Sequence, residues 1–180
     1  LHSYFNMTPI VLDAVDRQIL ETLQSDCALN NQELAARVRT SPATCLRRVR
    51  RLVESGVIER RIAILAPERA GTALGPGITA IVEVTLDGQA AELQAAFEER
   101  AIADPDVQQC YRVTPGPDFV LIAYVSDTAG YQALAARLLT SALNIRNVRA
   151  YFSIKRGKFD PRVPVGGGAS PADRLRERPD

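Results

Sequence analysis

The sequence is poor in the residues from which most enzyme sites are built. Its one histidine, His2, precedes the first patterned segment, so the body of the chain lacks the usual imidazole acid–base group. No nucleophile motif, P-loop or HExxH is present. The three cysteines, Cys27, Cys45 and Cys110, are odd in number, far apart and without a CxxC pair. That pattern implies neither a disulfide framework nor a zinc site, and leaves small buried hydrophobes in a reducing cytosol as the expected role. No stretch approaches the ~18–20 apolar residues of a membrane span, and no basic region followed by an apolar core opens the chain. A cytoplasmic protein without membrane, metal or cofactor is the expectation.

What is present is an uneven distribution of charge. The net charge of +1 over 180 residues conceals nine Arg against seven acids from Leu12 to Ala66, and five Arg against nine acids from Ile78 to Ala150. Between Arg37 and Val53 stand Arg37, Arg39, Arg47, Arg48, Arg50 and Arg51 with no acid. A basic patch beside an acidic region points to an anionic partner at one end of the molecule.

The first block reads as three short helices. Asp13 can cap the first, Asp16 adds negative charge to its first turn, and Ile19, Leu20 and Leu23 form its apolar stripe. Asn30 and Glu33 have capping-box spacing for the second, which turns Leu34, Ala35 and Val38 inward. Ser41 then caps a third helix with Pro42 at its first position, and Ser55-Gly56 ends it. Two short helices, a tight turn and a longer arginine-rich helix make a helix-turn-helix pattern.

On a wheel of ~100° per residue, Pro42, Leu46, Val49 and Val53 fall on one side of the third helix. Ala43, Thr44, Arg47, Arg51 and Glu54 fall opposite, with Arg48 and Arg50 on the flanks. Small residues such as Ala43 allow close approach to a major groove, and arginine can grip guanine or phosphate. Thr44 and Arg47 are therefore expected to read bases, with Ser41, Arg48 and Arg51 nearer phosphates. The pattern alone does not divide base from phosphate contacts. A merely solvated cationic face is the competing reading, and six arginines without an acid weigh against it.

The second block reads as strand-helix-strand-strand-helix-strand. Strands are expected over 78–86, 107–113, 119–125 and 148–154, with helices over 89–103 and 128–141. That order is ferredoxin-like: a four-stranded antiparallel sheet with helices on one face, and the other face free for a partner sheet. The predicted organisation is thus α+β: a winged helix-turn-helix domain over 12–58, a connector strand and hinge over 59–77, and a sensing and oligomerisation domain over 78–158. A disordered tail is expected over 159–180.

These motifs together resemble the leucine-responsive/asparagine-responsive (Lrp/AsnC) family of regulators. The resemblance spans roughly 12–158. It is carried by Leu12-Asp13, Asp16, Ile19-Leu20, Glu33-Leu34-Ala35, Arg47-Arg48-Val49, Arg51-Leu52, Gly56-Val57-Ile58, Val107, Cys110-Tyr111, Val113-Thr114 and Asp118. It implies sequence-specific binding of double-stranded DNA, a second domain that forms homodimers and often octamers, and an amino-acid effector held between dimers. Carried over, the effector residues are Tyr111, Thr114, Gly116 and Asp118, with Ser153 on the last strand. A carboxylate there could hold an ammonium, and a hydroxyl or backbone N–H could take a carboxylate. Alternatively, Gly116 and Pro117 only make a turn that Asp118 caps. Pro115 stands where the family usually has glycine, and Arg60-Arg61 replaces a common Gly-aromatic pair, which adds a candidate phosphate contact.

Two other functions fit the same outline. One is a metabolite sensor without specific DNA binding, disfavoured by the arginine face. The other follows from sirohaem decarboxylases of similar plan, which rely on histidines that this chain lacks outside His2.

Overall fold

The computed structural model describes residues 10–66, 69, 77–88, 90–140 and 143–166. Most of the expected hinge, all of the tail beyond 166, and His2 lie outside the described residues. The chain divides into two compact units, one holding residues up to 64 together with those from 160 on, the other residues 65–159.

The first unit is built from α1 (Ala14–Ser25), α2 (Asn31–Arg37) and α3 (Pro42–Glu54). Each start has a local chemical cause. Asp13 caps α1 by accepting from the Asp16 N–H at 2.9 Å, and the Asp16 carboxylate accepts from the Asp13 N–H at 3.1 Å. Asn30 and Glu33 make the corresponding reciprocal pair at α2. Ser41 caps α3 ahead of Pro42. Arg39, at φ 52°, turns the chain between α2 and α3, and Gly56, at φ 74°, ends α3. Asn31 Nδ2 donates to the Pro42 carbonyl at 2.8 Å and holds that turn.

The core of this unit is Ile19, Leu20, Leu34, Ala35, Val38, Cys45, Val49 and Leu52. That set corrects the expected phase of α3. Cys45 and Leu52 are 0% exposed, whereas Leu46 and Val53 are 48% and 45% exposed. Both sets share Val49 and both satisfy helical spacing, so contact with α1 and α2 decided between them. Cys45 and Cys110 take core-facing places, but Cys27 is exposed, contrary to expectation. Residues 59–66 carry no strand among the described residues, so the expected connector strand is an extended segment instead.

One charged group is wholly buried in this unit. Asp16, 0% exposed, accepts from Arg48 Nη1 at 2.9 Å and from Arg51 Nη2 at 2.5 Å, and Arg48 also reaches Asp13 at 2.6 Å. The helix-capping carboxylates of α1 thereby hold two arginines of α3.

The second unit contains β1 (Ile78–Leu86), α4 (Ala91–Ala103), β2 (Val107–Arg112), β3 (Phe119–Val125), α5 (Thr128–Leu138) and β4 (Ile145–Phe152). The antiparallel sheet has order β2-β3-β1-β4, the ferredoxin-like arrangement. Ala80, Val82, Val84 and Leu86 alternate inward with Phe119, Leu121, Ala123 and Val125. They meet Phe97 and Ala101 of α4 and Leu134 and Leu138 of α5, with the Phe97 and Phe119 rings 4.8 Å apart. β4 begins three residues earlier than its apolar alternation indicates. Ladder pairing to Leu86 past a bulge, after a left-handed Asn144 at φ 60°, recruits Ile145.

Removing a buried carboxylate leaves its cations without partners. Asp16→Ala is expected to destabilise the first unit by about 3 kcal/mol in denaturant unfolding, since its arginines keep partial access to water. The Asp16 N–H and the Arg48 guanidinium hold the Asp13 carboxyl at about 2, below its ordinary 3.8. A carboxyl depressed on folding contributes stability above its unfolded pKa and loses it as pH falls through the folded value. Unfolding curves should therefore weaken between pH 3.8 and about 2, and Asp13→Asn should flatten that segment.

Candidate nucleic-acid interface and effector site

The true phase of α3 redraws the cationic face. With Cys45, Val49 and Leu52 inward, Arg47 and Glu54 stand opposite the core, flanked by Ala43 and Arg50. Arg47 and Arg50 are exposed and their side chains make no ion pair or hydrogen bond among the described residues, and the same holds for the side chains of Arg37 and Arg39. Arg48 and Arg51, expected near phosphates, are instead bound to Asp13 and Asp16. Four of the six arginines thus have no carboxylate partner among the described residues, while Arg48 and Arg51 are tied to α1 and stay partly exposed. Asp13 and Asp16 lie about thirty residues upstream, so a count within 37–53 misses them.

The remaining expected interface residues have local duties. Ser41 Oγ accepts from the Thr44 N–H at 3.2 Å and donates to Thr44 Oγ1 at 2.9 Å. Ser41 is exposed and Thr44 half-buried, so both hydroxyls lie at the N-terminal end of α3 already engaged with each other. Ala43 is exposed beside them. Arg50, placed on the flank by the sequence, lies beside Arg47 on the outward face. In the extended segment after α3, Arg60 pairs with Glu59 at 2.6 Å.

In the second unit, the turn between β2 and β3 gathers four of the five expected effector residues. Thr114 and Gly116 are exposed, the Thr114–Pro115 peptide is cis, and Gly116 has φ 123°. No atom would meet a Cβ on Gly116 within 4 Å, so backbone angle rather than space calls for glycine there. Tyr111 is half exposed, its hydroxyl donating to Gln109 Oε1 at 3.0 Å. Asp118 is an anchor: its Oδ2 accepts from the Leu86 N–H at 2.7 Å, its N–H donates to Val84, and its carbonyl accepts from Val113. It ties the turn to the end of β1.

Ser153 is not with them. Its N–H donates to the Thr79 carbonyl at the start of β1, whereas Asp118 sits beside the end of that strand. Six residues of strand, about 20 Å at ~3.3 Å each, separate the two ends within one chain. A cleft of about 420 Å³ lies elsewhere, bordered by Arg100, Asp104, Arg137 and Thr140. None of the five expected residues lines it, and Arg137 is pinned to Asp104 at 3.0 Å and to Asp106 at 2.6 Å. Burial first, then the charge of Glu98, pushes the Cys110 thiol up to about 11, so it stays protonated at neutral pH.

Among the described residues, the sheet face opposite α4 and α5 has no helix of this unit on it. Register places Ile81, Tyr111, Val120, Ile122, Tyr124 and Tyr151 there, with Ile81, Tyr111 and Tyr151 between 38% and 52% exposed.

Comparison with known proteins agrees with this arrangement. Residues 12–59 match the family model for winged helix-turn-helix DNA-binding domains, and residues 79–163 match that of the Lrp/AsnC ligand binding domain. The leucine-responsive regulatory protein of Rhizobium meliloti is 36% identical over 156 residues, covering 87% of this chain and 97% of the relative. An AsnC family transcriptional regulator from Agrobacterium tumefaciens superposes with TM-score 0.73 at 31% identity, over 86% of this chain and 97% of that one. A transcriptional regulator from Neisseria meningitidis, crystallised as an L-Met complex, has TM-score 0.73 at 28% identity, over 87% and 98%. With a DNA-binding helix-turn-helix at one end and a ligand-binding ferredoxin-like unit at the other, this chain belongs to the Lrp/AsnC family of transcriptional regulators.

Proposed function

We propose that this regulator works as at least a homodimer, reads base edges with Arg47 and Arg50, and answers to an amino acid. The observation that carries the DNA assignment is the division of the arginines along α3. The cations bound to Asp13 and Asp16 position the helix, and the unpaired ones face away from the core. An exposed guanidinium without a carboxylate partner keeps all its donors and its orientation free for the bidentate contact to guanine. Arg37 and Arg39 then lie nearer the phosphates. Ser41, Ala43 and Thr44 contribute the close approach at the N-terminal end of α3.

Subunit pairing is supported by the uncovered sheet face, whose apolar and tyrosine side chains a second copy would bury. Further assembly, up to the octamer of the family, also fits the separation of the effector residues. Ser153 can join Tyr111, Thr114 and Gly116 only from another subunit. The leucine-responsive regulatory protein of Rhizobium meliloti and the L-Met complex of the Neisseria meningitidis regulator support an amino acid as effector. Asp118 shapes the pocket by holding the turn. The reading assigns no catalysis to the chain and places it with its DNA in the cytoplasm. No helix among the described residues is long and apolar enough to cross a membrane.

Arg47→Ala and Arg50→Ala are each expected to lose about 1–3 kcal/mol on a cognate duplex selected from genomic fragments, and to reduce preference over a scrambled duplex. Fluorescence anisotropy at one fixed salt concentration measures both; equal losses on the two duplexes would turn these residues into phosphate contacts. Weak, equal binding by the unaltered protein to every fragment would favour the sensor without specific DNA binding. Ile81→Glu on the open face should split the dimer in sedimentation and weaken binding to a two-half-site duplex by roughly tenfold or more.

A further inference from the structure

The tail expected to be disordered from 159 is ordered over 160–166 and docked. Past β4 the chain runs through Lys155, Arg156 and Lys158, and from Asp160 it belongs to the helix-turn-helix unit. Gln24 on α1 receives it there. The Val163 N–H donates to Gln24 Oε1 at 2.7 Å, and Gln24 Nε2 donates to the Val163 carbonyl at 3.0 Å. A side-chain amide meets a peptide group donor to acceptor, which copies one rung of a β-ladder. Two residues on, Val165 is half-buried against the core cluster that contains Ile19, Leu20 and Leu52. Pro164 between them restricts Val163 to extended backbone, so little freedom is lost on docking. Arg162 and Asp160 brace the approach with a guanidinium–carboxylate pair at 2.8 Å.

We propose that residues 160–166 form a strap which, by docking on Gln24 and the apolar surface beside it, holds the DNA-binding unit at a second point and pre-organises paired units for two half-sites. This rests on the paired-subunit reading above. One connector, the chain after Ile64, already joins the units; the strap adds a second link, covalent from β4 to Val163 and hydrogen-bonded from there to α1. A reading head held by one connector samples a wider volume than one held at two points. A second attachment narrows that volume and raises its effective concentration at the neighbouring half-site once the first is bound. β4 also carries Tyr151 on the open face, so pairing or effector binding that favours one placement of β4 biases the strap with it.

Two variants of the full-length protein test this while sparing the cores. Gln24→Ala removes the amide and keeps a strong helix former in α1. Val163→Pro removes the single N–H that donates to Gln24 and leaves every helix and strand untouched. In the unaltered protein the Val163 amide should exchange slowly with solvent deuterium, and Gln24→Ala should speed that exchange by about tenfold or more. Both variants should bind a single half-site as before, and lose about tenfold of the advantage that a two-half-site duplex holds over it. A Val163 amide that exchanges at the rate of a free peptide in the unaltered protein overturns the strap. An unchanged two-site advantage in both variants overturns its coupling to DNA binding. No two-site advantage in the unaltered protein refutes the paired reading and the coupling together, while the exchange rate still decides the docking.

Discussion

A carboxylate taken entirely out of water needs partners on all sides, and Asp16 has them. Its N–H and side chain complete the capping box with Asp13, and its two oxygens receive Arg48 and Arg51 from α3. The first bonds fix where α1 begins; the second fix where α3 lies against it. Charged partners of this kind are directional where apolar contact is not, so they select one rotation of a helix that could otherwise pack in several. Everything the DNA-binding unit presents outward follows from that rotation. With Arg48 and Arg51 turned to Asp16, the side opposite the core is left to Ala43, Arg47, Arg50 and Glu54.

The second unit has a comparable anchor of smaller scale. Asp118 links the β2–β3 turn to the end of β1 through its side chain and its backbone N–H. That turn carries Thr114 and Gly116 outward while Phe119, the next residue, enters the core against Phe97. The residues expected to meet an effector are therefore mounted on the rim of a packed sheet, where their positions depend on a ladder rather than on loop flexibility. Ser153 is mounted on the same sheet at the other end. One ladder thus fixes both the convergence of four residues and the exclusion of the fifth.

Much of this was legible along the chain because its causes are short-range. Asp13, Asn30, Glu33, Ser41, Pro42 and Gly56 act within four residues of themselves, and the starts of α1, α2 and α3 were readable from them. The unbroken apolar run from Phe119 to Val125 between turn residues marked the span of β3, but which of its faces is buried was decided by the sheet. β4 was misplaced at its start because Ile145, Arg146 and Asn147 do not alternate. Only the ladder to Thr85 and Leu86 makes them strand.

The sequence by itself determined the order of elements, their caps, and the presence of an arginine-rich helix after a tight turn, since local hydrogen bonds and side-chain periodicity decide these. The tertiary structure alone decided which arginines are free, where Ser153 lies, and that Val163 and Val165 return to α1. Those outcomes depend on partners far apart in sequence: Asp16 and Arg51 are 35 residues apart, and Gln24 and Val163 are 139 apart. A helical period fixes the spacing of an apolar stripe but not which of two neighbouring stripes turns inward. That choice belongs to the surface it meets, and for α3 the surface is a buried carboxylate on α1.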